Sequence, residues 1–452
     1  MSLLIDAILI VLFCVLAFVI IFILSLYIRG AFRWRPLLRV ERAIAPDDPR
    51  FPLTLKSLSN SLETTGQVTN FWDRASDIQQ ARIDAIKSAQ HSIQFETFIM
   101  TPGKRAQDFA AAVAQKAAEG VSVQVMVDSW GTRSLSQKYW HRLQEAGVQV
   151  VFFNPFDWRA PANYSGRTHR KMLIIDGKRL LIGGAGISDL WDGEEKEDDE
   201  KSWMDIEAEL EGEVVPAIAS LFQSHWAAHK LQGQNDVTGI DMSDIYPSLS
   251  QDDPSEETAA DTEATEETAT IIVTPGAKPS YRNSPIETTK ELLIACARQR
   301  IWLASPYFLP NNDTRHLLIK AKKSGVDVRI LTTSVKSDKK PVYYASFEVY
   351  GSLIKEGIQI FEYQPSMIHA KMLIVDDTWA NTGSANLDYR SFLHNDELDI
   401  VTDSKRLISS IEQVFERGFA NSEQIGLKRW KKRSLLKHRV LGNAVRLIQW
   451  QL

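Results

Sequence analysis

The pattern H-x-K-x-x-x-x-D occurs twice in this chain, at His169, Lys171 and Asp176 and again at His369, Lys371 and Asp376. The match continues past the acid. Gly183, Gly184 and Ala185 follow the first copy at the offsets of Gly383, Ser384 and Ala385 after the second. One such triplet arises easily by chance; two with matching flanks, 200 positions apart, mark an internal repeat. A repeated polar triplet constrains the fold to two similar halves that meet at one site, each half contributing a histidine and a lysine.

The apolar patterning carries the same repeat. In the first half, residues 92–98 read as a strand, 105–119 as a helix stopped by Gly120, and 121–127 as a buried strand. A helix over 135–146 ends at Gly147, and 148–153 is a further strand. In the second half, 301–305 is a strand, 316–323 belongs to a helix stopped by Gly325, and 326–331 is a strand. A helix over 343–356 ends at Gly357, and 358–363 is a strand. Dense apolar strands alternating with helices predict an α/β fold of two repeats, each a parallel or mixed sheet flanked by helices. The short apolar runs 172–175 and 372–375 place each histidine and lysine at the start of a strand, where the backbone holds them rigidly.

Composition narrows the class. A chain of 452 residues can bury more than one core, and 44% hydrophobic with 24% charged residues is ordinary for globular protein. Two cysteines, Cys14 and Cys296, make no disulfide framework, and no histidine–cysteine spacing suggests zinc. The net charge of −5 says little, but its distribution says more. Asp252, Asp253, Glu256, Glu257, Asp261, Glu263, Glu266 and Glu267 lie among Ser, Thr and Ala, so residues 232–280 read as an acidic flexible linker. A second acidic cluster, residues 194–200, reads as a solvated loop rather than a metal site.

The ends point to a membrane. Residues 7–28 form an uninterrupted, mostly apolar run of 22 residues, long enough for one transmembrane helix. No basic residue precedes the run and no small-residue cleavage site follows it, which disfavours a cleaved signal peptide. Arg29, Arg33, Arg35, Arg39 and Arg42 come next, so the side holding residue 29 onward is expected to be cytoplasmic, in a single-pass protein of the inner membrane. At the other end, residues 427–452 interleave Lys428, Arg429, Lys431, Lys432, Arg433, Lys437, Arg439 and Arg446 with Trp430, Leu435, Leu436, Leu441, Leu447, Ile448 and Trp450. That mix suits an interfacial amphipathic helix on an anionic lipid surface, and in a chain with an anchor it favours lipid over nucleic acid as partner. The expected order is an anchor at 1–28, a basic juxtamembrane segment at 29–55, a first half at 56–231, the linker at 232–280, a second half at 281–426 and the tail at 427–452. Nothing in the sequence sets an oligomeric state.

Two histidines and two lysines in one site suit phosphodiester chemistry. One imidazole attacks phosphorus to form a phosphohistidine, dividing one difficult displacement into two easier ones. The other protonates the departing alkoxide and then takes the proton of the incoming alcohol. The lysines bind the non-bridging oxygens and neutralise the five-coordinate state, so no metal or other cofactor is expected. Ser384 and Asn386 follow the second triplet as candidate phosphate-binding residues.

This double pattern is similar to the signature of the phospholipase D superfamily. The stretch from His369 to Asp376, followed by Gly383-Ser-Ala-Asn-Leu-Asp-Tyr-Arg-Ser391, most resembles the cardiolipin synthase branch, and the resemblance covers about residues 60–425. It implies two phospholipase D-like halves, phospholipid substrates with phosphatidylglycerol foremost, and a phosphatidyl transfer that yields cardiolipin. It also implies an acid on each histidine's second nitrogen, taken from the strand after the motif. The matching positions are Asp205 and Glu397, which leaves Asp176 and Asp376 to hold the strand–loop corner. The family's nucleophile is most often the first-half histidine, although the symmetry of the site leaves the reverse open. One position departs: Gly186 stands where the second half has Asn386. Hydrolysis by the same residues, a phosphodiesterase or nuclease activity, and a non-catalytic membrane scaffold are the rival readings.

Overall fold

The structure is a computed structural model that describes residues 2–31, 43–158, 164–193, 202–232, 268–276 and 284–449. Its first element is a lone helix, α1 (Ser2–Ala31), whose span Ile5–Ser25 has a mean hydropathy of 3.6 and packs against nothing else among the described residues. Ile10, Phe13, Phe18 and Ile21 each expose more than half of their surface. That much bare apolar surface suits a lipid surrounding. Of the arginines after it, Arg33, Arg35, Arg39 and Arg42 lie outside the described residues, as does the acidic cluster at 194–200.

The rest is built around one sheet of fifteen strands. The first half contributes β1 (Leu62–Trp72), β2 (Ser92–Thr97), β3 (Ser122–Asp128), β4 (Gln149–Phe153), β6 (Met172–Ile175), β7 (Arg179–Gly183) and β8 (Glu207–Glu211). The second contributes β9 (Ala269–Pro275), β10 (Arg300–Ala304), β11 (Asp327–Thr333), β12 (Gln359–Tyr363), β13 (Met372–Val375), β14 (Trp379–Gly383), β16 (Leu398–Thr402) and β17 (Ser422–Gln424). Across the sheet the order is β4-β3-β2-β6-β7-β8-β1 and then β9-β16-β14-β13-β10-β11-β12-β17. The second run repeats the first in reverse. The two halves join where β1 and β9 pair antiparallel, Leu62 opposite Val273 through Gly66 opposite Ala269. A two-stranded ladder of β5 (Arg167–Thr168) and β15 (Asn395–Asp396) ties the halves a second time.

The expected strands and helices of both repeats are present with boundaries within about three residues. Gly120, Gly147, Gly325 and Gly357 each follow a helix with φ between 84° and 93°, the left-handed conformation that glycine adopts without penalty at a helix stop. On one face, α3 (Ala75–Ser88), α4 (Lys104–Ala118) and α5 (Gln137–Glu145) cover the first half. On the same face of the second half lie α2 (Phe51–Ser59), α7 (Pro285–Cys296), α8 (Asn312–Lys323) and α9 (Lys340–Ile354). On the opposite face, α6 (Val214–Gln232) and α11 (Lys405–Ala420), which follows the short α10 (Tyr389–Leu393), bury one core that draws on both halves, from Phe222 and Trp226 to Leu407 and Phe415. Each of these large side chains, fully withdrawn from water, stabilises the joined sheet by about 2–3 kcal/mol.

Two expectations about boundaries change. Strand β9 lies inside residues 232–280, where a linker was expected. Its run Thr270-Ile-Ile-Val273 follows the acidic block directly and is buried on both faces, so it carries the sheet's central seam. The acidic residues themselves, at 252–267, lie outside the described residues. The basic tail is not one free amphipathic helix either. It folds as α12 (Leu427–Lys431), a π-helical stretch at Leu435–Gly442 and α13 (Asn443–Leu447), docked on α9. Trp430 donates its indole N–H to Phe347 O at 2.9 Å and lies where any side chain on Gly351 would collide with it. Arg433 pairs with buried Glu348. The basic and apolar residues of the tail divide accordingly: Trp430 and Arg433 dock, while Leu435, Leu436, Val440 and Leu447 face out.

Candidate active site

The two motifs enter the middle of the molecule side by side because their approach segments pair across the halves. Asp396 sits opposite Thr168, and His169 N donates to Asp396 O at 2.7 Å. Met204 bridges to Ile368, and His369 N donates to Met204 O at 2.6 Å. Each cross-strand partner is followed directly by an acid, and that register delivers the acid to the other half's histidine. His169 Nδ1 lies 2.9 Å from Glu397 Oε2, and His369 Nδ1 lies 2.8 Å from Asp205 Oδ2. With Nδ1 so engaged, each Nε2 is the nitrogen available for reaction. Both acids are wholly buried.

The lysines are placed by the same geometry. Lys171 Nζ donates to His169 O and Lys371 Nζ to His369 O, each at 2.6 Å, so each ammonium folds back toward its own histidine. Lys371 Nζ is also 3.0 Å from the ring nitrogens of His369. All four side chains are nearly closed off from solvent. Burial and the crowding of like charge set the proton affinities. Burial, then the neighbouring Lys371, pull Lys171 down to about 7. Burial pulls Lys371 down to about 8 against the attraction of Asp205 and Glu397. Burial and Lys371 bring His369 down to about 4, and burial with both lysines holds His169 well below its usual value. Burial thus favours the neutral form of both imidazoles in the free site, which suits the attacking one; the histidine that serves as acid must take up its proton as the anionic phosphodiester enters. Burial would raise Asp205, but His369 and Lys371 outweigh it and bring it to about 2, while burial raises Glu397 despite Lys171.

The remaining expected residues fall into place unevenly. Asp176 and Asp376 belong to the triplets but not to the site. Asp176 accepts from the backbone amides of Gln90, His91 and Ser92, and Asp376 from those of Arg298, Gln299 and Arg300. Each closes the far end of its four-residue strand, with φ of 53°, and is a structural corner. Ser384 turns its hydroxyl toward Glu397. It donates to Glu397 Oε2 at 2.5 Å and accepts from Leu398 N. Asn386 is buried, with Oδ1 lacking a hydrogen-bond partner among the described residues.

The departures of the first motif have a packing cause. A Cβ on Gly186 would sit 2.2 Å from Ile99 Cγ2, and one on Gly184 would sit 2.2 Å from Asp205 Oδ1. Because Gly184 lacks the hydroxyl that Ser384 gives Glu397, another donor is needed. Trp191 fills that role, its Nε1 donating to Asp205 Oδ2 at 2.9 Å. In the repeat Trp191 occupies the position of Ser391, which is hydrogen-bonded to Glu397. The offset of 200 pointed to this residue, although nothing in its type announced the role. Behind the loops, Arg82 pairs with Glu207 and donates to Ala185 O at 2.9 Å. Lys290 pairs with Asp399 at 2.7 Å, and Asp399 accepts from Ala385 N. Sequence reasoning missed both pairs, since each joins residues more than 100 positions apart.

Two clefts lie beside this centre. One, of about 450 Å³, is lined by Phe98, Trp130, Arg167, Tyr307, Lys339 and Arg390. Phe98 stands edge-on to His169 with ring centroids 5.2 Å apart. The other, of about 790 Å³, is lined by Ser188, Trp203, Lys336 and Ser366, and Trp203 stacks on His369 at 6.0 Å. No cluster of three or more acid, histidine or cysteine side chains suited to a metal ion occurs among the described residues.

This architecture and chain have known counterparts. A family described as "Cardiolipin synthase, PLD-like domain" matches residues 83–196 and 292–418. Cardiolipin synthase 2 of Bacillus anthracis is 32% identical over 375 residues, which cover 82% of this chain and 68% of that protein. Cardiolipin synthase 1 of Bacillus cereus is 32% identical over 388 residues, covering 85% and 72%. The crystal structure of phosphatidylserine synthase from Haemophilus influenzae Rd KW20 superposes with a TM-score of 0.65, covering 89% of this chain and 100% of that one. At 14% identity that likeness is one of fold.

Proposed function

Because this chain belongs to the cardiolipin synthase family of phospholipase D-like phosphatidyltransferases, we propose that it makes cardiolipin from two molecules of phosphatidylglycerol through a phosphohistidine intermediate. Nε2 of one histidine attacks phosphorus, and the bond to the glycerol headgroup breaks as the other histidine protonates the departing oxygen. The same second histidine then takes the proton of a hydroxyl on the next phosphatidylglycerol. That oxygen displaces the first histidine, so two phosphatidylglycerols become one cardiolipin and one glycerol. Lys171 and Lys371 hold the non-bridging oxygens and carry the charge that develops on them. Their buried ammonium groups take the place a divalent cation would have, and turnover is expected to survive excess EDTA.

The single observation that carries this reading is the crossed pair of histidine–carboxylate contacts, 2.9 Å and 2.8 Å, beside two buried lysines. The test is detergent-solubilised protein with phosphatidylglycerol, with products separated by thin-layer chromatography. Cardiolipin plus glycerol supports the proposal. Phosphatidic acid plus glycerol replaces it with hydrolysis. No product would favour a scaffold.

The proposal extends to the membrane. Helix α1 is read as a single-pass anchor in the inner membrane with the site on the cytoplasmic side, and the tail's outward leucines, with Lys431, Lys432 and Arg439, as the surface that rests on anionic lipid. What supports this is the bare apolar surface of both segments.

A further inference from the structure

We propose that Lys339 holds the phosphodiester of the acceptor lipid, forming a second anion site beside the reacting phosphorus in the cleft bounded by Phe98, Trp130, Tyr164 and Arg390. This deepens the reading above and rests on it. Two observations carry it. The segment from Lys336 to Lys340 separates the two clefts and bears three lysines. Two are tied down: Lys336 Nζ donates to Pro365 O at 2.6 Å, and Lys340 Nζ donates to Val335 O. The Lys339 ammonium makes no hydrogen bond or ion pair among the described residues and lies 4.7 Å over the Tyr307 ring. It faces the cleft and is near enough for its charge to be felt at His169.

The second observation is the balance of charge around it. Arg167, which is paired with buried Asp128 at 3.4 Å, and Arg390 line the same cleft. Its one carboxylate, Asp388, is engaged with Ser391 N at 2.8 Å and is pushed up to about 6 by burial. Neighbouring Asp338 accepts the Tyr307 hydroxyl at 2.8 Å. An ammonium with no hydrogen bond or ion pair among the described residues, in a cleft lined by three basic side chains, one acid and aromatic walls, suits an anion that arrives attached to an apolar body.

The chemistry supplies such an anion. The phosphodiester under attack occupies Lys171 and Lys371. The acceptor brings a phosphodiester of its own, one glycerol unit from the attacking hydroxyl. The departing glycerol has none, so the site discriminates acceptors and is not needed to load the histidine.

Competition between acceptors tests this. The full chain in mixed micelles is given phosphatidylglycerol as donor, with 1-butanol present as a neutral acceptor, and the ratio of cardiolipin to phosphatidylbutanol is measured. Loss of one charged hydrogen bond corresponds to about 10–100-fold, so Lys339→Ala is expected to lower that ratio by at least about tenfold. Lys339→Arg should restore most of it, and Lys339→Gln should behave as the alanine variant. A ratio within about twofold of wild type in the alanine and glutamine variants overturns the proposal, because a purely structural role would depress both products together. If the alanine variant is inactive, the glutamine and arginine variants decide the question by the same ratio. Wild-type protein that forms phosphatidylbutanol but no cardiolipin instead overturns the proposed function, whatever Lys339 does.

Discussion

His169 and Glu397 stand 228 residues apart, in different halves of the chain, yet Nδ1 of one lies 2.9 Å from Oε2 of the other. The reciprocal contact joins His369 to Asp205. Neither half therefore contains a complete histidine–carboxylate unit. Glu397→Gln is expected to disturb His169, and Asp205→Asn to disturb His369, with kcat falling by about 10–10⁴-fold in each while KM changes little. Imidazole nitrogen NMR checks the crossing directly. A perturbation of the histidine in the same half as the altered acid would contradict it.

The two lysines give the enzyme an alkaline limb. Burial lowers Lys171 to about 7 and Lys371 to about 8, so each is charged below that value and loses its proton as pH rises through it. The imidazoles are already neutral there, with His369 at about 4. The profile of kcat/KM is thus expected to fall as pH rises through about 7 to 8. A guanidinium stays charged, so Lys371→Arg should push the alkaline fall upward, at whatever activity remains. An alkaline limb that does not move in Lys171→Arg or Lys371→Arg would mean that it belongs to another group.

Arg82 is expected to be the most sensitive position behind the first motif. Arg82→Met leaves the Glu207 carboxylate buried and unpaired, at a cost of about 3–5 kcal/mol measured by chemical denaturation. Burial raises the Glu207 pKa above its unfolded value even in the intact pair. Without Arg82 the rise grows, so the penalty is full at neutral pH and shrinks as pH falls and the acid takes up a proton. Adding Glu207→Gln should recover part of the loss; no recovery would place the defect elsewhere.

Restoring the repeat's symmetry should do harm. Gly186→Asn makes the first motif look more like the second but drives a Cβ to 2.2 Å from Ile99 Cγ2 and 2.9 Å from Ile99 O. Overpacking of this kind costs about 1–3 kcal/mol. Thermal denaturation should show a lowered Tm, and a variant as stable as wild type would show that the loop yields.

The tail can be tested without dismantling it. Leu435, Leu436 and Leu447 are 63%, 73% and 69% exposed, so aspartate at these positions should leave the fold unchanged. In a chain lacking residues 1–28, the triple substitution is expected to weaken sedimentation with phosphatidylglycerol vesicles markedly, and the residual binding should fall with added salt. Sedimentation equal to that of the unsubstituted tail would remove the tail from the membrane surface.

Most of the element list was legible along the chain. The helix stops at Gly120, Gly147, Gly325 and Gly357, the apolar strands and the repeated His-x-Lys triplets are all written in contiguous residues, where periodicity and turn chemistry act. Asp205 and Glu397 could be placed by resemblance, but not assigned to a histidine. Strand β9 was hidden because the acidic block beside it dominates the composition of that region.

The sequence by itself determined that two like halves would each bring a histidine and a lysine to one centre, because the repeat is a property of the chain. Only the tertiary structure decided who serves whom. The pairing of Asp396 with Thr168 and of Met204 with Ile368 sends each acid across to the other half. Ser384 turns toward Glu397 and Trp191 toward Asp205, and the chain from 336 to 340 leaves Lys339 without an ion pair among the described residues in the cleft. The crossed histidine–acid pairs depend on strand register between backbones more than 100 residues apart, and no local pattern encodes them.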